Sequence, residues 1–210
     1  MFNFCDLGNI LRSISGYIIN PVVTYEKNRN KGYSHAVAIF VILYSVIWFL
    51  SKSLLLINDI LCGRTIDLDL LSLQFMLYQA LYVSIEILVV IFVIYSVSKF
   101  ENKNVNFVNS FKITFIRCAF FIFILGLYSV INAVLNLLNI NYGISGLVDF
   151  VIYLLFILAN LFFIRVSAEG IRTLNGLSRV KSYLIAMISI LAANAAIYIN
   201  AFWLEGILLA

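Results

Sequence analysis

Residues 73–97, LQFMLYQALYVSIEILVVIFVIYSV, decide the fold, because this long apolar run carries one ionisable side chain, Glu86, near its middle. At about 1.5 Å per residue, a helix of this length crosses a hydrocarbon layer of about 30 Å. Similar apolar runs recur along the chain, separated by short polar connections. The pattern predicts an all-α protein, a polytopic transmembrane helical bundle.

Composition supports the same prediction. The 210 residues are 63% hydrophobic and 11% charged, with a mean hydropathy of +1.04. A soluble domain is usually about 45–50% apolar and about 25% charged. One globular core cannot hide this excess, so we expect membrane lipids to solvate much of the surface. With one proline and ten glycines the chain is not rich in linkers, and we expect one membrane domain.

We predict five spans in residues 34–210, after a cytoplasmic, interfacial segment at residues 1–33. The spans are 34–54, 73–97, 112–137, 147–164 and 182–203. In the first segment, apolar residues from Leu7 to Ile18 recur at helical spacing. They predict a short amphipathic helix that lies on the membrane surface and ends at Asn20-Pro21. Residues 24–32 are polar and basic and predict a second surface segment.

The basic residues predict the orientation. Twelve of the fourteen fall in three alternate segments, with four in each. They are Arg12, Lys27, Arg29 and Lys31; Lys99, Lys103, Lys112 and Arg117; and Arg165, Arg172, Arg179 and Lys181. By the positive-inside rule the amino terminus is cytoplasmic and the carboxyl terminus outside. In the alternative topology, four stretches span the membrane and one is re-entrant. Two of the basic loops would then lie on opposite faces of the membrane.

Polar residues inside the spans form a candidate intramembrane site. Gln79, Tyr82 and Glu86 are spaced by three and four residues and share one face of the second span. Asn132 on the third span and Asn160 on the fourth lie on comparable polar faces. We expect these faces to point inward, where amides bond across helices for about 0.6–2 kcal/mol each.

Glu86 needs a partner, since a carboxylate in mid-membrane costs at least ~2.5 kcal/mol. Arg117 is the nearest cation along the chain, because a short turn joins the second and third spans. The two positions differ by about 9 Å along the helix axis. We predict a Glu86–Arg117 contact, or a neutral Glu86 bonded to an asparagine. A structural role and a proton or ion role are both open.

No catalytic, metal or cofactor site is predicted. Residues 143–146, GISG, match the GxSG of rhomboid-type proteases, which need a histidine base beside the serine. The single histidine, His35, falls at the opposite membrane surface, so the match indicates a turn. Three scattered cysteines (Cys5, Cys62 and Cys118) have no metal-type spacing, and the basic residues form no stripe for nucleic acid.

The layout resembles the YIP domain family, the Rab/Ypt-interacting five-span membrane proteins. The resemblance rests on IINP at 18–21 with Tyr25-Glu26 after it, and on AEGIRTLNGLSRVKS at 168–182, before the last span. It implies a non-enzymatic adaptor. The long polar amino-terminal region of eukaryotic members is missing and Ile, Asn, Phe and Tyr are abundant. Both features favour a prokaryotic plasma-membrane protein, so the GTPase role is not carried over.

The sequence therefore predicts a non-catalytic membrane protein, an adaptor or assembly partner that binds another protein or its own copies. Arg172, Arg179 and Lys181 form its candidate cytoplasmic contact surface. The alternative is a transport component for a small solute, an ion or protons, with Glu86 on the pathway.

Overall fold

A computed structural model describes the backbone of residues 4–61, 73–137 and 145–208. Within these ranges the chain forms seven α-helices and no strand, which confirms the all-α prediction. The helices are α1 (Phe4–Ile19), α2 (Pro21–Lys27), α3 (Tyr33–Leu61), α4 (Leu73–Glu101), α5 (Phe107–Leu137), α6 (Ser145–Asn175) and α7 (Arg179–Leu208).

Each of the five predicted spans lies inside one of the five long helices, α3 to α7. Every one of these helices extends beyond its predicted span at one end or both. Among the described residues, no helix combines the length and the apolar character needed to cross a membrane. The membrane crossing itself stays a prediction.

The connection before the last helix is much shorter than the sequence predicted. The sequence predicts a polar connection over residues 165–181, between the fourth and fifth spans, but residues 165–175 continue α6 to Asn175. The reason is an apolar face: Val166 and Ile171 are buried, while Arg165 is exposed. The helix ends where Gly176 adopts a positive φ of 69° and its N–H bonds the Arg172 carbonyl at 3.0 Å. This left-handed residue is a common helix stop.

The amino-terminal segment folds as a helical corner. The predicted end of α1 at Asn20-Pro21 is confirmed, since α1 stops at Ile19. The Asn20 side chain then accepts a hydrogen bond from the Val23 N–H at 3.3 Å, and Pro21 begins α2. Residues 24–27 of the expected second surface segment form the end of this helix, and one face of the helix is buried through Pro21, Thr24 and Tyr25.

The described core lies in the half of the bundle next to the α4–α5 and α6–α7 turns. There α3 packs on α5, α7 packs on α4 and α6, and α2 packs on α6. Fully buried side chains from these helices form one apolar cluster, among them Ile39, Ile94, Ile113, Val166 and Ala186. Across the turns, the Asn102 amide donates to the Asn175 carbonyl at 2.8 Å and the Asn109 amide to the Leu174 carbonyl at 2.9 Å.

Candidate functional site

The centre of the candidate site is a buried pair of opposite charges. Arg117 Nη2 on α5 lies 3.9 Å from Glu86 Oε1 on α4, and the two side chains are only 5% and 8% exposed. The sequence predicted this contact from the short turn between the helices. The separation exceeds that of a hydrogen bond, so the attraction is one of charge across a small gap.

The pair is buried, and a small apolar cluster adjoins it along both helices. Ile87, Ile91 and Cys118 form a small cluster beside it, against Phe111 and Phe115. Such surroundings strengthen the attraction and also make an unpaired charge costly. Within the described part of the chain, the second terminal nitrogen of Arg117, Nη1, has no hydrogen-bond partner. The arginine therefore has donor capacity beyond its contact with Glu86.

The other predicted members of the intramembrane site are placed only in part. Gln79 and Tyr82 lie on α4 and Asn132 lies on α5, but their side chains are outside the described residues. Asn160 lies on α6 with a partly buried side chain. Glu86 and Arg117 are thus the two members whose contact the structure describes.

The structure bears in part on two other sequence features, the GISG segment and the possibility of a metal site. Of the segment GISG, residues 143 and 144 lie outside the described residues, and Ser145 begins α6. In the described ranges, no three histidine, cysteine, aspartate or glutamate side chains are grouped to hold a metal ion.

The candidate cytoplasmic contact surface is partly occupied by ion pairs within the chain. Lys181 on α7 pairs with Glu101 at the end of α4. Arg172 Nε lies 2.9 Å from Glu169 Oε2, one turn earlier on α6. Arg179 is exposed, and its guanidinium carbon lies 6.0 Å from the centre of the Tyr183 ring. Arg179 is therefore the member best placed to meet a partner.

The sequence missed a polar cluster under the α1–α2 corner. The rings of Tyr17 and Tyr25 meet edge to face, with centroids 4.8 Å apart. The Asn28 amide donates to the Tyr17 hydroxyl at 3.2 Å. His35 Nε2 lies 3.2 Å from the Ser13 hydroxyl, which links α3 to α1. Burial raises the pKa of Tyr17 to about 12, although the Asn28 hydrogen bond opposes that shift.

A small cavity adjoins this cluster. Its volume is about 10 Å³, and it is lined by Tyr17, Tyr25, Asn28, His35 and Lys112 among others. A cavity of this size holds one water molecule at most. Lys112 also donates to the Arg29 carbonyl at 2.9 Å, which ties α5 to the segment between α2 and α3. The arrangement suits a structural junction and leaves no room for a substrate.

One signal in the sequence could have pointed to this cluster. Tyr17 and Tyr25 flank the break at Asn20-Pro21, where two consecutive helices meet at a corner. Their spacing along the chain alone does not predict the contact between the two rings, because helical periodicity is lost at the break.

No family model, no curated protein and no solved structure matches this chain. The fold and the site define an all-α helical bundle with a buried ion pair and a basic end.

Proposed function

We propose that the chain is a five-span, non-catalytic membrane protein that acts as an adaptor or assembly partner through its cytoplasmic end. The observation that carries the membrane location is that large apolar side chains face outward on four helices of the bundle, while the Glu86–Arg117 pair is buried inside it. Phe49, Phe92, Phe150 and Leu191, on four different helices, are each 66–69% exposed. Extended exposed apolar surface is typical of contact with a membrane or another protein.

The distribution of charge supports the proposed orientation. The turns at 102–106 and 176–178 and the α1–α2 corner lie at one end of the bundle, joined by the contacts of Asn102, Asn109 and Lys112. This end contains most of the basic residues of the chain. The positive-inside rule places such an end in the cytoplasm, in the proposal at the plasma membrane of a prokaryote.

Thiol labelling tests the membrane location. In a chain without Cys5, Cys62 and Cys118, we expect Lys103→Cys to resist a membrane-impermeant reagent in intact cells and to react after permeabilisation. Ile66→Cys, in the opposite predicted connection, is expected to react in intact cells. The reverse pattern contradicts the topology. Recovery of the protein in the aqueous fraction after alkaline washing contradicts the membrane location.

Gentle purification tests the adaptor role. We expect a stoichiometric protein partner, or an assembly of copies, to survive mild detergent extraction. Because Arg179 is exposed at the basic end, Arg179→Glu is expected to reduce co-purification at least about tenfold, a loss of about 1.4 kcal/mol. Arg12→Glu, an exposed charge reversal on α1, is the matched control. A wild-type chain that purifies alone as a monomer contradicts the adaptor role.

The second candidate function is transport, and the buried Glu86–Arg117 pair is the observation that favours it. Intramembrane ionisable residues commonly belong to ion or proton routes. The purified chain in liposomes would then carry a pH-dependent flux of a small solute, an ion or protons, and Glu86→Gln would abolish this flux. Absence of flux in the wild type, together with a bound partner, favours the adaptor.

The resemblance to the YIP domain family stays a prediction, and the comparisons with known proteins add no support to it. Binding of a small GTPase is accordingly not proposed.

A further inference from the structure

An open groove lies between α1 and the first half of α3. Its volume is about 820 Å³, within the range of about 300–1,000 Å³ that is usual for small-molecule sites. Asn9 and Ile10 form the α1 side, and nine residues between Lys31 and Ile42 supply the rest of the lining. The contact of His35 with Ser13 fixes the distance between the two helices at one end of the groove.

The two ends of the groove differ in chemistry. Lys31, Ser34 and His35 gather at one end, where α3 begins. Further along α3 the lining is apolar, through Val37, Ala38, Val41 and Ile42. Among the described residues, no carboxylate lies within ion-pairing distance of Lys31. The groove thus offers a cationic end followed by an apolar track, which complements an anionic amphiphile.

The length of the track matches one leaflet of a bilayer. From Gly32 to Ile42 the groove follows α3 for about 15 Å, at about 1.5 Å per residue. This is half of the hydrocarbon thickness of about 30 Å, the depth that one acyl chain covers. Tyr33, which is 58% exposed, stands at the mouth, the level at which tyrosines are enriched in membrane proteins.

We propose that this groove binds one anionic phospholipid of the cytoplasmic leaflet, with its phosphate at Lys31 and one acyl chain along Val37 and Val41. The proposal rests on the membrane location proposed above. It adds a defined lipid site, held between an interfacial helix and the first span. A bound lipid would fasten α1 to α3 along its length, beyond the hydrogen bond between Ser13 and His35.

Native mass spectrometry of the full chain tests the proposal, with phosphatidylglycerol and phosphatidylcholine of identical acyl chains as probes. We expect the wild type to retain one phosphatidylglycerol at least about tenfold more tightly than phosphatidylcholine. Lys31→Glu is expected to abolish this preference, because it reverses the charge at the phosphate. Lys103→Glu, at an exposed lysine outside the groove, is the charge control and should leave the preference intact.

A second variant tests the acyl track. Val41 lines the groove and is 50% exposed, so Val41→Trp fills the groove without disturbing the core. We expect it to weaken binding of both lipids, whereas Leu191→Trp, on an exposed position of α7, should not. Equal lipid binding by the wild type and Val41→Trp overturns the proposal. So does a wild-type dimer that Val41→Trp dissociates without changing lipid binding, since the groove then receives a second copy.

Different results would contradict the proposed membrane location and the proposed lipid groove. A chain that is washed from membranes as an aqueous protein contradicts the membrane location, whatever the groove binds. A chain that stays in the membrane but retains lipid with no preference for the anionic headgroup contradicts the groove alone.

Discussion

Arg117→Met is expected to lower the free energy of unfolding by about 3 kcal/mol, because it leaves Glu86 buried without a counter-charge. Removing one partner of a buried ion pair typically costs about 3–5 kcal/mol. The lower end applies here, since the charged atoms are 3.9 Å apart and are not hydrogen-bonded. The measurement is a titration of the purified protein with denaturing detergent, followed by circular dichroism.

The double variant Glu86→Leu/Arg117→Met separates loss of the pair from loss of packing. Replacing a whole buried ion pair by apolar residues of similar size is often neutral or stabilising. We therefore expect the double variant to recover most of the stability that Arg117→Met loses. If both variants are equally unstable, the arginine contributes through its packing, and the pair is not the reason for its position.

The same pair of variants bears on function. A double variant that is stable and still binds its partner means that the charges serve only the structure. A double variant that is stable but has lost a measurable ion flux supports the transport alternative. Stability and activity are therefore best measured on the same preparations.

Gly170→Ala is expected to destabilise the protein by about 1–3 kcal/mol, the usual cost of overpacking a core. A methyl group at Gly170 would lie 2.7 Å from Tyr25 Cζ and 3.0 Å from Ile113 Cγ1. Tyr25 is 1% exposed, and its rigid ring cannot move aside within the core. The clash is therefore expected to lift α2 from α6. Two measurements apply: the free energy of unfolding, and the rate of tryptic cleavage after the exposed residues Lys27 and Arg29.

Gly8→Ala is the matched control for this substitution. Gly8 also lies within a helix, but nothing is within 4 Å of a methyl group added there. The variant is expected to be neutral or to gain about 0.5–1 kcal/mol from the better helix propensity of alanine. A Gly170→Ala variant as stable as Gly8→Ala, with α2 equally resistant to trypsin, contradicts the packing of Tyr25 against α6.

The sequence predicted the part of the candidate site that depends on helices consecutive in the chain. One short turn joins the helices of Glu86 and Arg117, so antiparallel packing of α4 and α5 brings the two positions within about 9 Å of each other along the axis, a distance that two long side chains can bridge. The ion pairs of Lys181 and Arg172 were not predictable in the same way. Lys181 pairs with Glu101, which is 80 positions away in the sequence. Arg172 pairs with Glu169 one turn earlier, because this part of the predicted connection at 165–181 is helical.

The sequence by itself determined the all-α class, the approximate positions of the five long helices and the break at Asn20-Pro21. These are local properties, since apolar runs, helical periodicity and proline stereochemistry act over a few neighbouring residues. Only the tertiary structure decided the burial of Tyr25 under Gly170, the extension of α6 and the groove between α1 and α3. Each depends on the rotation and spacing of helices that are distant along the chain, and packing of side chains across the interface sets both.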